Sequence, residues 1–216
     1  MSERLTWVYR VSRFLFWAFM RVWNRYSGVG MEYVPREGGC ILAGNHASFL
    51  DPPILGCLVP YRMIRYLGRD TLFKNKFADW WARNVGVVQL DRTRGDLGAL
   101  KTAIKLLKDG GALCLFPEGT RTSDGQLQKP KGGVGFMIAK AGVPVVPAYV
   151  QGTFQAYPRG AKWIRPCKVT VYYGEPIMPA ELAPYCTDRD GYDKVAELVM
   201  TRIAALKANA ETGLSA

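Results

Sequence analysis

His46 and Asp51 are the residues whose types and spacing most directly suggest catalysis. The stretch GNHASFLD, Gly44 to Asp51, holds the only histidine of the 216-residue chain. A neutral imidazole is a suitable general base near pH 7, and a carboxylate on its other nitrogen holds the ring in one tautomer. On one continuous helix the two residues would lie about 140° apart and could not meet. They can meet if His46 lies in a loop and Asp51 begins the next helix, which Pro52-Pro53 favours.

The same stretch also has a purely structural interpretation. Asp51 at the N-cap of a helix and a lone histidine in a loop are both ordinary features of folded proteins. The two interpretations are compatible, because a carboxylate offers about four acceptor sites for hydrogen bonds.

A second polar segment, FPEGTR (Phe116 to Arg121), follows the apolar run ALCLF. Charged groups at the end of a buried strand are destabilising unless they find partners. Arg121 can bind a phosphate through two hydrogen bonds, and Glu118 can hold that arginine or accept from a substrate hydroxyl. A structural ion pair at the strand end is the alternative.

Two more segments carry related features. GVVQLDR places Arg92 after another strand-like run, and KPKGG adds Lys129 and Lys131. VPVVPAYV carries Pro144 and Pro147 inside an apolar run, which suits a strand at the edge of a sheet or the wall of a cavity.

The elements that must position these groups alternate along the chain. Buried strands are predicted at 39–45, 86–90, 112–116, 143–151 and 168–174, and helical spacing occurs in 95–111, 134–142 and 188–210. This alternation predicts a single α/β domain with a largely parallel central sheet flanked by helices. In such sheets ligands bind beyond the carboxyl ends of the strands, where the polar segments lie.

Residues 1–27 are predicted to form an N-terminal amphipathic helical segment, distinct from a domain at 28–216. The longest uncharged run, Phe14 to Met20, is far below the roughly 20 residues that span a bilayer, and no signal-peptide cleavage site follows. On a helical wheel five arginines share one half (Arg4, Arg10, Arg13, Arg21 and Arg25), opposite an apolar side (Leu5, Val8, Val11, Leu15, Phe19, Val22 and Tyr26). Such a helix suits a membrane interface; a helix packed on its own core is the alternative.

The overall composition limits the classes of molecule that the protein is expected to bind. The formal net charge of +11 indicates a polyanionic partner: a nucleic acid, an anionic membrane surface or a phosphorylated substrate. The five cysteines are scattered without a C-x-x-C pair, and with one histidine they exclude a structural zinc site at the usual spacings. They indicate reduced, mostly buried thiols.

Taken together and in order, the four segments resemble the motifs of the glycerolipid acyltransferase superfamily, specifically the 1-acylglycerol-3-phosphate acyltransferases. NHASFLD corresponds to the H-x-x-x-x-D motif, GVVQLDR to G-x-x-x-x-x-R, FPEGTR to E-G-T-R, and VPVVPAYV to the proline motif. Four motifs in the right order and spacing are far more specific than any one of them.

The resemblance implies transfer of a fatty acyl group from acyl-CoA or acyl-carrier protein to the sn-2 hydroxyl of 1-acylglycerol-3-phosphate, forming phosphatidic acid in phospholipid biosynthesis. It implies His46 as the general base and Asp51 as its partner. The implied substrate-binding residues are Arg92, Glu118, Gly119, Thr120, Arg121 and Lys131. It further implies no metal, no cofactor beyond the thioester co-substrate, no nucleic-acid partner, and a peripheral position on the cytoplasmic face of the cell (inner) membrane, whose anionic surface is a partner.

Other interpretations stay open. Within the family the acceptor could be a lysophospholipid, glycerol-3-phosphate or an aminolipid. Ser48, His46 and Asp51 could form a hydrolytic triad, although they lie within six residues and no G-x-S-x-G elbow exists. A non-enzymatic basic module would explain the net charge but not FPEGTR or the His-Asp pair.

Overall fold

Seven strands form one sheet in the part of the chain that the structure, a computed structural model, describes: residues 5–68, 75–89, 95–131 and 133–213. The strands are β1 (Ser27–Val29), β2 (Cys40–Gly44), β3 (Ile64–Gly68), β4 (Val87–Gln89), β5 (Ala112–Leu115), β6 (Val145–Gln151) and β7 (Thr170–Tyr173). Their order across the sheet is β1-β7-β6-β2-β5-β3-β4, and every neighbouring pair is parallel except β6 with β7. The predicted α/β domain with a largely parallel sheet is confirmed.

Helices connect the strands and cover both faces of the sheet. In the described residues they are α1 (Trp7–Trp23), α2 (Asp51–Cys57), α3 (Lys76–Asn84), α4 (Gly95–Lys108), α5 (Val134–Ala141), α6 (Thr153–Ala156), α7 (Pro179–Leu182) and α8 (Arg189–Thr212). Five of them were predicted: α4, α5 and α8 from helical spacing, α1 within the N-terminal segment, and α2 from its start at Asp51. Their ends follow local chemistry: the Asp188 carboxylate caps α8 at 2.8 Å from the Gly191 nitrogen, and Gly142 ends α5 in the left-handed region at φ 62°.

Strand β2 divides the hydrophobic core into two layers. Its alternate residues Cys40 and Leu42 pack with the α2 side chains, whereas Ile41 and Ala43 pack with α4, α5 and α8. All five residues of the strand are buried, so it is covered on both faces. All five cysteines are free thiols, and three of them are buried in this core region.

Five of the described strands and α-helices were not predicted: β1, β3, α3, α6 and α7, of which the last two have four residues each. Strand β1 has three residues, too few to show a period, and β3 has the mixed sequence IRYLG, in which Arg65 interrupts the apolar run. Helix α3 has nine residues and buries only Ala82, so its apolar pattern extends over only about two and a half turns.

Pro147 lies in an interior strand, so the sheet edge, one of the two positions predicted for this apolar run, is wrong. It belongs to β6, between β2 and β7. The proline has no N–H to donate, but its carbonyl accepts a hydrogen bond from Gly174 at 2.8 Å. Since β7 ends at Tyr173, the missing donor falls where that ladder terminates.

Helix α1 is shorter than the predicted amphipathic segment. Its apolar side is only partly buried against the rest of the protein. It buries Val8, Tyr9 and Met20, and the Arg13 guanidinium donates to the carbonyl of Cys57 at 2.9 Å. Other members of the predicted apolar side are exposed: Val11, Leu15, Phe19 and Val22. Tyr26 is buried beyond the end of the helix. Among the described residues, no helix combines the length and apolarity needed to cross a bilayer.

Candidate active site

The segments that carry His46 and Glu118 leave neighbouring strands at the same edge of the sheet. Strands β2 and β5 are parallel, with Ala43 paired to Leu115. Each polar segment begins just after the carboxyl end of its strand, so the two loops emerge side by side. The pairing of β2 with β5 therefore assembles the site from sequence positions 72 residues apart.

Asp51 holds the imidazole of His46 and the loop around it. Its Oδ2 lies 2.9 Å from His46 Nδ1 and accepts the backbone N–H groups of Ala47 and Ser48, each at 2.6 Å. The carboxylate is buried, whereas the imidazole is partly exposed. With the Nδ1 proton directed at the carboxylate, the basic lone pair of the neutral ring is on Nε2.

The position of Asp51 corrects the sequence interpretation by one residue. Leu50 occupies the N-cap position, and Asp51 is the first residue of α2. The side chain of Asp51 accepts hydrogen bonds from the loop before the helix, at Ala47 and Ser48, instead of capping the N–H groups after it. The geometry needed for the His-Asp pair is present all the same, because the chain turns between His46 and Asp51.

The FPEGTR segment and Thr122, the residue after it, hold the backbone of His46 on both sides. Oε1 of Glu118 accepts the His46 N–H at 3.0 Å, and the Thr122 N–H donates to the His46 carbonyl at 2.8 Å. The Phe116 ring stacks on the imidazole with a centroid separation of 4.1 Å and an interplanar angle of 17°. The second motif therefore positions the histidine, a role that its sequence did not indicate.

Glu118 has an unusual acid strength. The pKa of this carboxyl is raised from 4.5 to about 7, chiefly by burial and also by the nearby Asp51 carboxylate, although N–H donors from His46 and Gln128 oppose the shift. Near neutral pH, Glu118 therefore exists in both protonation states. In either state its carbonyl-type oxygen can accept the His46 N–H.

Arg121, predicted to bind phosphate, lies against the ring of Phe49. Its guanidinium carbon is 3.4 Å from the ring centroid, a close cation–π contact. Phe49 belongs to the His46–Asp51 loop and is largely exposed. The contact joins the predicted anion-binding group to the loop that carries the predicted base. The sequence signal for Phe49 is a large aromatic residue inside a polar loop motif.

Gly119, Thr120 and Lys131 are grouped at the turn that follows β5. Gly119 has φ +64°, a left-handed conformation that favours glycine, and its N–H donates to the Phe116 carbonyl at 3.0 Å. The Lys131 side chain covers this glycine, and a Cβ there would lie 2.9 Å from Lys131 Cδ. Gly119 and Thr120 are exposed.

The predicted residue Arg92 lies outside the described residues, although β4, which precedes it, ends at the same edge of the sheet.

Ser48 is committed to the backbone of its surroundings. Its buried hydroxyl donates to the Tyr157 carbonyl at 2.7 Å and accepts the Leu50 N–H at 3.1 Å. Because a serine nucleophile must direct its hydroxyl at the base, this arrangement does not favour the hydrolytic triad. The preceding Asn45 similarly bonds the backbone of Val150 in both directions, which ties the loop to β6.

Comparisons with known proteins agree with this arrangement. The sequence profile of the Acyltransferase family matches residues 26–151. The chain is 32% identical over 178 residues to a 1-acyl-sn-glycerol-3-phosphate acyltransferase of Bacillus subtilis, covering 82% of this chain and 85% of that protein. It is 32% identical over 187 residues to the chloroplastic 1-acyl-sn-glycerol-3-phosphate acyltransferase BAT2 of Brassica napus, covering 84% of this chain and 53% of that protein. The chain thus spans about half the length of the chloroplast relative.

A solved structure is also similar over most of the fold. The crystal structure of the 1-acyl-sn-glycerophosphate (LPA) acyltransferase PlsC from Thermotoga maritima superposes with a TM-score of 0.75 at 30% sequence identity. The match covers 93% of this chain and 80% of that chain. The similarity therefore includes the helices around the sheet as well as the motif-bearing strands.

Proposed function

We propose that this chain, which belongs to the acyltransferase family, transfers a fatty acyl group from a thioester to the sn-2 hydroxyl of 1-acylglycerol-3-phosphate. The product is phosphatidic acid, a precursor of phospholipids, and the donor is acyl-CoA or acyl-carrier protein. The observation that carries the proposal is the His46–Asp51 pair at 2.9 Å, held against the loop that contains Glu118 and Arg121. A base beside a cationic loop suits an acceptor with both a hydroxyl and a phosphate.

The proposed reaction needs a single base. His46 Nε2 takes the proton of the acceptor hydroxyl while its oxygen attacks the thioester carbonyl and forms a tetrahedral oxyanion. Collapse of that intermediate breaks the carbon–sulfur bond, and the imidazolium returns its proton to the departing thiolate. Asp51 keeps the imidazole in the required tautomer and stabilises its charged form. A thioester is already activated, so the proposal includes no metal, no cofactor and no covalent enzyme intermediate.

The acceptor phosphate is proposed to bind at the turn after β5. Arg121 supplies a planar guanidinium for two hydrogen bonds, and Lys131 adds a second cation beside Gly119. Thr120 offers an exposed hydroxyl, Glu118 orients the loop through His46, and Arg92 contributes a third cation.

The proposed setting is the cytoplasmic face of the cell membrane, where the enzyme is peripheral. The net charge of +11 favours contact with an anionic lipid surface, and exposed apolar residues on α1 suit the interface region. Such a position would give direct access to a lipid acceptor.

An acceptor panel tests the proposal. The purified chain is supplied with labelled acyl-CoA or acyl-carrier protein and with 1-acylglycerol-3-phosphate, glycerol-3-phosphate, a lysophospholipid or an aminolipid, using His46→Ala as the blank. We expect labelled phosphatidic acid with the first acceptor. If another acceptor is acylated instead, that molecule is the true acceptor and the proposed one is wrong. Free fatty acid as the main product would favour hydrolysis. Transfer to none of them, together with salt-sensitive nucleic-acid binding, would support a non-enzymatic module.

A further inference from the structure

Helix α3 presents an aromatic face to solvent. Phe77, Trp80 and Trp81 are 74%, 45% and 44% exposed, respectively. Their spacing of three and four residues places them on one side of the helix, whereas Ala82 on the other side is buried. Soluble monomers rarely leave three large aromatic residues together in water, so the cluster indicates a partner.

Helix α1 lies beside α3 and extends its apolar surface. The indole N–H of Trp81 donates to Ser12 Oγ at 3.1 Å, and Thr6 Oγ1 donates to the carbonyl of Asn84 at 3.0 Å. Along α1, an exposed apolar stripe recurs at helical spacing: Trp7, Val11, Leu15 and Val22. Trp81 is both exposed and bonded to α1, so the two helices form one continuous apolar surface.

The charges around this surface identify the kind of partner. Arg10 and Arg21 are exposed and lie next to Trp7, at the border of the α1 stripe on the helical wheel, and Lys76 is exposed at the start of α3. Cations beside tryptophans match an anionic bilayer, whose phosphates lie next to the acyl boundary. A second copy of the chain is a poorer match, because each copy carries a net charge of +11.

We propose that α3 is a second membrane-inserting element, which together with α1 docks the protein on an anionic bilayer through Phe77, Trp80 and Trp81. Two helices side by side define a plane, so α3 determines how the sheet edge faces the lipid. Arg13 links this surface to the site, because it bonds the last residue of α2, the helix that begins with Asp51. The proposal extends the proposed function but is measured without catalysis.

The double variant Phe77→Ser/Trp80→Ser tests α3 and leaves the Trp81–Ser12 bond in place. Full-length protein is sedimented with vesicles of phosphatidylcholine and phosphatidylglycerol, and with phosphatidylcholine alone. We expect the wild type to bind the mixed vesicles more tightly than the neutral ones, and the variant to bind them at least tenfold more weakly. Tyr185→Ser is the matched control, because Tyr185 is an exposed aromatic residue near α7 on the opposite face of the sheet, and its binding should be unchanged.

Thermal unfolding and activity on a water-soluble acceptor distinguish a misfolded variant from a loss of membrane binding. Equal thermal midpoints and equal activity on a short-chain, water-soluble acceptor show that the double variant is folded. Wild-type affinity of that variant for the mixed vesicles overturns the proposal. So does a lipid-free wild-type dimer that the variant converts to a monomer, because the face would then join two copies. If the wild type binds vesicles but acylates no acceptor, the proposed function fails while the docking surface stands.

Discussion

At the scale of single residues, one oxygen of Asp51 organises the candidate site. Oδ2 accepts from the imidazole and from two backbone N–H groups of the same loop. A ring held in this way needs little reorganisation when it takes a proton, and the carboxylate stabilises the resulting charge. The orientation of His46 thus depends on its loop as much as on the Asp51 side chain.

His46→Ala should lower kcat by about 10²–10⁴-fold, the usual contribution of a positioned base. The KM for the acceptor should change little, because the proposed phosphate contacts remain. Steady-state kinetics with the preferred acceptor measure both values. Ser48→Ala is the neighbouring control: it should retain most of kcat, since the hydroxyl bonds the Tyr157 backbone. A collapse of kcat in Ser48→Ala, with the fold intact, would restore the hydrolytic interpretation.

Phe49→Leu should raise the KM for the phosphorylated acceptor about two- to fivefold with kcat unchanged, because an exposed cation–π contact contributes about 0.5–1 kcal/mol. Leucine removes the aromatic face under Arg121 but keeps an apolar side chain. Phe49→Tyr retains the aromatic face and should behave as wild type. Arg121→Ala should raise the same KM by a larger factor. Equal KM values for Phe49→Leu and wild type would mean that the ring does not position Arg121.

At the scale of elements, close packing of α5 on α8 supports the turn after β5. Helix α5 follows the Lys131 turn, and Gly135 on α5 lies directly against the Tyr192 carbonyl of α8. Because glycine has no Cβ, the two helix backbones can approach each other closely at this position. The helices of this layer therefore influence the position of the predicted cation.

Gly135→Ala should lower the free energy of unfolding by about 1–3 kcal/mol, because an added Cβ collides with the backbone of Tyr192 and forces α5 outwards. Urea unfolding followed by circular dichroism measures the change. An unchanged midpoint would show that α5 moves without penalty. A raised acceptor KM in the folded variant would connect this packing to Lys131.

At the scale of the whole molecule, the excess of positive charge serves more than one purpose. Arg62 is buried and donates to the carbonyls of Pro35 and Gly38 at 2.7 Å and of Gly110 at 3.0 Å, so it joins loops of the fold. Its charge is not available to a lipid or a phosphate. The exposed cations beside α1 and around the Lys131 turn are the ones that a polyanionic partner can reach.

The stability of the fold should depend on pH through Glu118. The carboxyl has a pKa of 4.5 when solvated and about 7 in the folded protein. Between these values the folded chain binds more protons than the unfolded chain, so the free energy of unfolding falls as pH rises. Relative to its value below pH 4.5, the free energy of unfolding should be lower by about 3 kcal/mol above pH 7.

Glu118→Gln should remove this pH dependence, because an amide oxygen can still accept the His46 N–H but does not ionise. Relative to wild type, the variant should gain about 3 kcal/mol of stability between pH 4.5 and pH 8. Urea unfolding across that range measures the difference. Parallel pH profiles for the two proteins would contradict a raised pKa for Glu118.

The sequence by itself determined the features that depend on neighbouring residues. Pro52 and Pro53 placed the helix start beside Asp51, and the short spacing from His46 then allowed the pair to form within one loop. Alternating strands and helices likewise determined the α/β class. Strands β1 and β3 were missed because three residues, or an apolar run broken by Arg65, show no clear period. Helix α3 was missed because its apolar pattern extends over only nine residues.

Only the tertiary structure decided which distant groups meet at the site. Glu118 bonds the backbone of His46, and Arg121 stacks on Phe49, because β2 and β5 pair in a particular register. Strand pairing depends on the packing of the whole sheet and not on the residues of either loop. The same packing sets α3 beside α1 and makes one surface of two short apolar patterns, since helices far apart in sequence meet only when the core between them is formed.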